Sequence, residues 1–259
     1  MEFRRAIQRI GAGSLAALLV ACGGGGSDAV VVPPGQATQG LWRGAVVLDG
    51  QDLGLVIGLV AASGQAHLVL LAGDSQLRGH LASTGTALDT AFSGLSLFGA
   101  AGELAETFTL LDGSVNAGTS LAATLVGSPS GRSLSLALQY DARYDRPGSF
   151  AALAGSWQRD SGGQFLQWQI DAAGTLAGTD SNGCSYAGQF TLPDPAHNLY
   201  RVSYRIAGCA TAAGPVEGLA ALDDGAVRDD TLHVAGTAAV GPLDTASFVE
   251  RLTRQPPAP

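Results

Sequence analysis

The feature that most constrains the fold is a two-residue period. In Gln164-Phe165-Leu166-Gln167-Trp168-Gln169-Ile170-Asp171, Leu166, Trp168 and Ile170 fall on one side, and Gln167, Gln169 and Asp171 on the other. Successive side chains of a strand point to opposite faces, so this segment has one face for a core and one for water. Tyr200, Val202, Tyr204 and Ile206 alternate with Arg201, Ser203 and Arg205 in the same way. Turn signals punctuate the runs: Asp160-Ser161-Gly162-Gly163, Ala172-Ala173-Gly174, Asp180-Ser181-Asn182-Gly183 and Asp223-Asp224-Gly225. Apolar residues at helical spacing with capping signals are absent beyond the amino-terminal segment. The pattern predicts an all-β chain of antiparallel sandwich or up-and-down barrel type, with about eight strands in its second half. Closure would remove edges that otherwise pair with neighbours.

The amino terminus has a different character. Arg4, Arg5 and Arg9 precede an uncharged stretch, Ile10 to Val20, too short for the roughly 20 apolar residues that span a bilayer. A basic start, a short apolar core and a small residue before a cut form a secretory signal. Leu19-Val20-Ala21-Cys22 resembles the lipobox of bacterial lipoproteins. The resemblance implies that residues 1–21 are removed and that Cys22 carries a diacylglycerol thioether and an acylated amine. Each buried methylene contributes about 0.8 kcal/mol, and two anchoring signals give stable attachment. Gly23 stands where an Asp would favour the inner membrane, so the resemblance implies the outer membrane, on either side. Residues 22–39, with Gly23 to Gly26 and Pro33-Pro34-Gly35, read as a lipidated flexible linker with a mean reach of about 23 Å.

Charge and missing residue types exclude several functions. Removing residues 1–21 takes three of 14 basic residues and one of 22 acidic ones, leaving a net charge near −10. Such a surface repels phosphate backbones, so no nucleic-acid partner is expected. The chain has no lysine, which removes Schiff-base and P-loop chemistry. His67, His80, His197 and His233 are scattered, and strand or surface placement is expected of them rather than a base. No Gly-x-Ser-x-Gly elbow occurs. Asp223, Asp224, Asp229 and Asp230 crowd one hairpin around Arg228. A solvated acidic turn is the favoured reading there, and a calcium site the alternative. No catalytic residue, cofactor or metal is expected.

Of three cysteines, Cys22 is assigned to lipid, which leaves Cys184 and Cys209. The periplasm permits disulfides. Folding the segments on either side of Pro193-Asp194-Pro195-Ala196-His197 into a hairpin sets the two nearly opposite. A bridge would stabilise the domain by about 3.5 kcal/mol on the chain-entropy argument. Two free buried cysteines are the alternative.

The remainder reads as a duplication. Gly40-Leu41-Trp42 and Gly155-Ser156-Trp157 share Gly-x-Trp. Gly64-Gln65 and Leu77-Arg78-Gly79 match Gly163-Gln164 and Leu176-Ala177-Gly178; Phe92-Ser93-Gly94 resembles Tyr186-Ala187-Gly188. Tyr140, Arg143 and Arg146 match Phe248, Arg251 and Arg254. The expected domains are residues 40–147 and 150–254, joined at Arg146-Pro147-Gly148, with 255–259 a disordered tail.

A Gly-x-Trp opening a first strand, with an arginine on the last, is similar to lipocalins. That resemblance implies Trp42 and Trp157 as barrel plugs, with Arg143 and Arg251 as cation–π partners. The hairpin from Gly155 to Thr179 looks still more like avidins. The avidin ligand positions are not kept: Arg159, Gly163 and Asp180 stand there, and three tryptophans cannot form the ring around biotin. The second unit also looks like proteobacterial lipoproteins with a similar Gly-Cys pattern, which implies no activity. The whole predicts two tandem lipocalin- or avidin-like domains on a lipid anchor, acting as a non-enzymatic binding or interaction module of the envelope. Its partners would be the membrane through its lipid, and an envelope protein or small apolar ligand. Rival readings are a carrier with an internal cavity and a hydrolase with an unrecognised site.

Overall fold

In the computed structural model, the described residues are 36–256, apart from 72, 74, 92, 99–103, 209–214 and 240–244. The expected signal and lipobox and most of the expected linker, including Cys22, lie outside them, as does Cys209. Strands account for nearly all regular structure. In chain order they are β1 (Gly40–Leu48), β2 (Gln51–Val60), β3 (Gln65–Leu70), β4 (Gln76–His80), β5 (Ser83–Thr84), β6 (Ala87–Leu88), β7 (Gly94–Phe98), β8 (Leu104–Asn116), β9 (Ser120–Ser128) and β10 (Ser133–Tyr140). After a 3-10 turn at Ala142–Asp145 and the short helix α1 (Phe150–Leu153), the second set begins. It comprises β11 (Gly155–Ser161), β12 (Gln164–Ile170), β13 (Thr175–Asp180), β14 (Ser185–Thr191), β15 (Tyr200–Ala207), β16 (Val216–Asp223), β17 (Thr231–Ala239) and β18 (Thr245–Arg254).

Each set closes into an eight-stranded antiparallel meander. In the first, β1 pairs with β2 and β10, β4 with β7, and β8 with β9; the β5–β6 hairpin is an appendage touching β8 at Ala87 and Ser114. The second is the ring β11 to β18, sealed by Trp157 opposite Arg254 and Gln158 opposite Thr253. Eight strands leave an interior that side chains can fill. In the first barrel Trp42, Val46, Val56, Leu68, Leu77, Leu95, Phe108 and Leu125 fill it. In the second, Trp157, Trp168, Phe190, Tyr200, Val202, Tyr204 and Leu252 do so. The expected inward set on β12 and β15 is the observed one: Leu166, Trp168 and Ile170 are buried, as are Tyr200, Val202, Tyr204 and Ile206.

Strand rank revises the duplication. Gly40 and Gly155 each open the first strand of a barrel, at φ of 147° and 140°, a conformation glycine tolerates best. Tyr140 and Phe248 likewise share the eighth and last strand of each barrel. The pairings between these ends slip. Gln65 opens the third strand of barrel one, whereas Gln164 opens the second of barrel two. Leu77 lies on a fourth strand and Leu176 on a third; Gly94 opens a fifth strand and Gly188 lies on a fourth. A meander repeats at roughly one strand plus a turn, and its Gly- and Ala-rich strands match equally well one strand out of step.

Candidate interaction surfaces

The two barrels meet along a third apolar cluster. Leu41, Ile57, Leu59 and Val69 face outward from β1 to β3, and Leu219, Ala221 and Ala235 face outward from β16 and β17; Tyr144 and Leu199 complete the contact. These strands are therefore buried on both faces. Val56 to Ala61 is unbroken in its burial, as is Thr231 to Ala238.

Ion pairs frame this contact. The Asp223 carboxylate, at the end of β16, accepts hydrogen bonds from Arg43, Arg143 and, at 3.0 Å, His233 Nε2. Asp141 accepts from Arg43 Nε at 2.5 Å and Arg143 Nε at 2.8 Å. Arg146 forks onto Asp224 at 2.7 and 2.6 Å and reaches Asp229 at 3.2 Å. Burial pushes the Asp223 carboxyl up, but the hydrogen bonds from His233 and Arg43 outweigh it and hold the group well below its ordinary value. Asp141 is lowered in the same way, burial being overcome by Arg143 and Arg43. Asp230 caps its own turn, accepting from Gly225 N at 2.5 Å and Val227 N at 2.8 Å. Asp223, Asp224 and Asp229 of the acidic hairpin are thus paired with arginines of the other barrel and of the connector, while residues 225–228 of the turn are exposed. Among the described residues no group of His, Cys, Asp or Glu could hold a metal ion.

A second polar link crosses the junction. Gln76 Nε2 donates to Gly236 O at 2.9 Å and Ser247 Oγ at 2.7 Å, both in barrel two. Its Oε1 lies 2.7 Å from His67 Nδ1, and Gln65 Nε2 lies 3.1 Å from His67 Nε2. A neutral imidazole donating from Nδ1 and accepting at Nε2 satisfies both. His67 is fully buried, and burial lowers it to about 4. His67 and His233 are thus buried structural groups of the junction. His197 stacks on Tyr144 at 4.2 Å in a small cleft of about 90 Å³ beside it, shared with Ser63 and Arg201.

Trp42 and Trp157 each lie in the core cluster of one barrel. Both are fully buried, and each indole N–H donates at 2.9 Å to a carbonyl four residues earlier, Thr38 O and Leu153 O. Their expected partners are corrected. The guanidinium over Trp157, 4.2 Å from the ring centroid, belongs to Arg254. Arg251 has the wrong parity: Leu252 points inward on β18, while Arg251 is exposed and paired in register with His233. Trp42 packs edge-on against Tyr140 at 5.5 Å, and Arg143, beyond the end of β10, turns instead to Asp141 and Asp223. The residue facing each tryptophan across the closing seam is the register partner, Tyr140 in one barrel and Arg254 in the other.

Two of the three positions compared with avidins make internal bonds. Arg159 pairs with Glu250 at 2.6 Å, and Asp180 accepts from Tyr186 Oη at 3.0 Å. Cys184 is buried. Its neighbour Ser185 is opposite Ala207.

No protein-family model matches the chain, and no curated protein matches it in sequence. Two solved structures align. One is a candidate outer membrane protein of Bacteroides fragilis, at 10% identity and TM-score 0.29, over 85% of this chain and 99% of that one. The other is isotype 1 transferrin binding protein B from serogroup B Neisseria meningitidis, at 9% identity and TM-score 0.29, over 80% of this chain and 67% of that one. At that score superposition does not establish a shared fold.

Proposed function

We propose that the chain is a non-catalytic binding module of the bacterial cell envelope, held on the outer membrane by acyl chains on Cys22. Residues 22–39 act as its tether, residues 40–147 and 150–254 are its two barrel domains, and Cys184 joins Cys209. The observation that carries this reading is a pair of barrels filled by their own side chains and locked along one apolar, ion-paired seam. Filled interiors favour recognition by the outer surface over carriage of a small apolar ligand inside. Leu55 and Leu71, 65% and 38% exposed, adjoin at the rim of barrel one, where Leu71 N donates to Leu55 O, and give a protein partner apolar surface to cover.

Expression with a clickable fatty acid, followed by fractionation and in-cell crosslinking, tests the proposal. The wild type should be labelled and recovered with outer membranes, and a discrete crosslinked species should weaken in Leu55→Asp/Leu71→Asp. An unlabelled, soluble product, or crosslinks indifferent to the double substitution, would contradict it.

A further inference from the structure

The outer face of barrel two carries a groove of about 730 Å³ whose walls differ in chemistry from the rest of this acidic chain. Ser156, Gln158, Gln167, Gln169, Arg254 and Gln255 line it, and no carboxylate does. Register explains the grouping. Gln158 is opposite Gln167 and Ser156 opposite Gln169, on the face turned away from Trp157 and Trp168. The side chains of Gln158, Gln167 and Gln169 make no hydrogen bond to the protein among the described residues. Gln255 spends one donor on Thr253 O at 3.2 Å and keeps its carbonyl oxygen.

An amide offers donors and an acceptor with no charge, which is also the character of a hydroxyl group. An anion would seek a guanidinium fork, and the one cation here has none to offer. Arg254 donates to Ala154 O at 2.7 Å, to Asp229 O at 3.2 Å and to Ala152 O, while its face covers Trp157. A hydrocarbon ligand would leave the amides unpaired, each at a cost of about 1–3 kcal/mol. Beside the groove, Phe165 occupies the next outward position of β12 and is 41% exposed, opposite Asp160. An exposed ring next to a row of amides suits the apolar C–H face of a sugar whose hydroxyls meet the polar row. From Phe165 to Gln169 the stripe runs about 13 Å at strand rise, room for a short oligosaccharide.

We propose that this outward face of β11 and β12 binds a neutral saccharide chain, with Gln158, Gln167 and Gln169 reading hydroxyls and Phe165 stacking on a ring. The proposal rests on the envelope-module reading and names one ligand class for it.

The test is calorimetric titration of the full lipidated protein, in a detergent without a sugar headgroup, with maltohexaose, chitohexaose and hexagalacturonate. A neutral hexasaccharide should bind with Kd of about 0.1–1 mM, the range expected of an open surface groove. Gln158→Ala/Gln167→Ala/Gln169→Ala should weaken it at least tenfold and Phe165→Ala several-fold, with the thermal midpoint unchanged in both. Heat absent for both neutral sugars at about 5 mM, a situation in which a millimolar site would be largely filled, overturns the proposal. So does undiminished binding by the triple variant, or a preference for hexagalacturonate. Leu55-dependent crosslinks that persist in the triple variant would keep the envelope-module reading apart from a failure here.

Discussion

Lowering the pH should loosen the junction between the barrels before it protonates their carboxylates. His67 is the group to follow. Its ring is fully buried between Gln65 and Gln76, and burial lowers it from 6.5 to about 4. The folded state therefore favours the neutral ring. Its contribution is fully present above pH 6.5 and declines as pH falls toward 4, because the unfolded chain takes up the proton first. Each pH unit of separation corresponds to about 1.4 kcal/mol, so about 2 kcal/mol is lost by pH 5 and about 3 kcal/mol by pH 4. Asp141 and Asp223, lowered from 3.8, act in the same direction but in a lower window: their contribution is present above that value and is lost below it. The two effects separate on the pH axis. Urea unfolding at pH 7.5 and pH 5 measures the first. The wild type should lose about 2 kcal/mol more between these conditions than His67→Gln, which keeps polar atoms in the site but does not titrate there. Equal losses in the two proteins, or a His67 titration near 6.5 by NMR, would refute the reasoning.

Three further outcomes follow from the same contacts. Arg254→Ala should destabilise barrel two by about 1–2 kcal/mol, since it removes the cation over Trp157 and leaves carbonyls unpaired, whereas exposed Arg251→Ala should stay within about 0.5 kcal/mol in chemical unfolding. Leu59→Ala, at a fully buried position of the inter-barrel cluster, should cost about 2–5 kcal/mol in the same assay. If Cys184 and Cys209 are joined as proposed, peptide mapping should recover the linked pair, and reduction should lower stability by about 3.5 kcal/mol; two alkylatable thiols in the mature protein would count against the bridge.

What could be read from the sequence follows the range of the interaction. The alternation in 164–171 and 200–206 is local and gave the correct inward residues, and Gly-x-Trp marked both first strands. Parity decides the tryptophan's partner, and resemblance alone placed it at Arg251 rather than at Arg254. The middle matches of the internal repeat slipped by a strand because small residues recur on every strand of a meander. The junction escaped notice for a different reason. Arg43 and Asp223 are 180 positions apart, and nothing near either names the other. One signal was available: Val56-Ile57-Gly58-Leu59-Val60-Ala61 lacks alternation, as a strand segment buried on both faces should. The acidic hairpin looked solvated because its arginines come from β1 and the connector.

The central claim is that acylation at Cys22 places this two-barrel body on the envelope. Mass spectrometry of the amino-terminal peptide from purified outer membranes tests it most directly. The account predicts a chain beginning at Cys22 with a diacylglycerol thioether and an acylated amine, and unprocessed precursor in Cys22→Ala. A mature protein in the soluble fraction that begins with an unmodified cysteine, or at another residue, would contradict it.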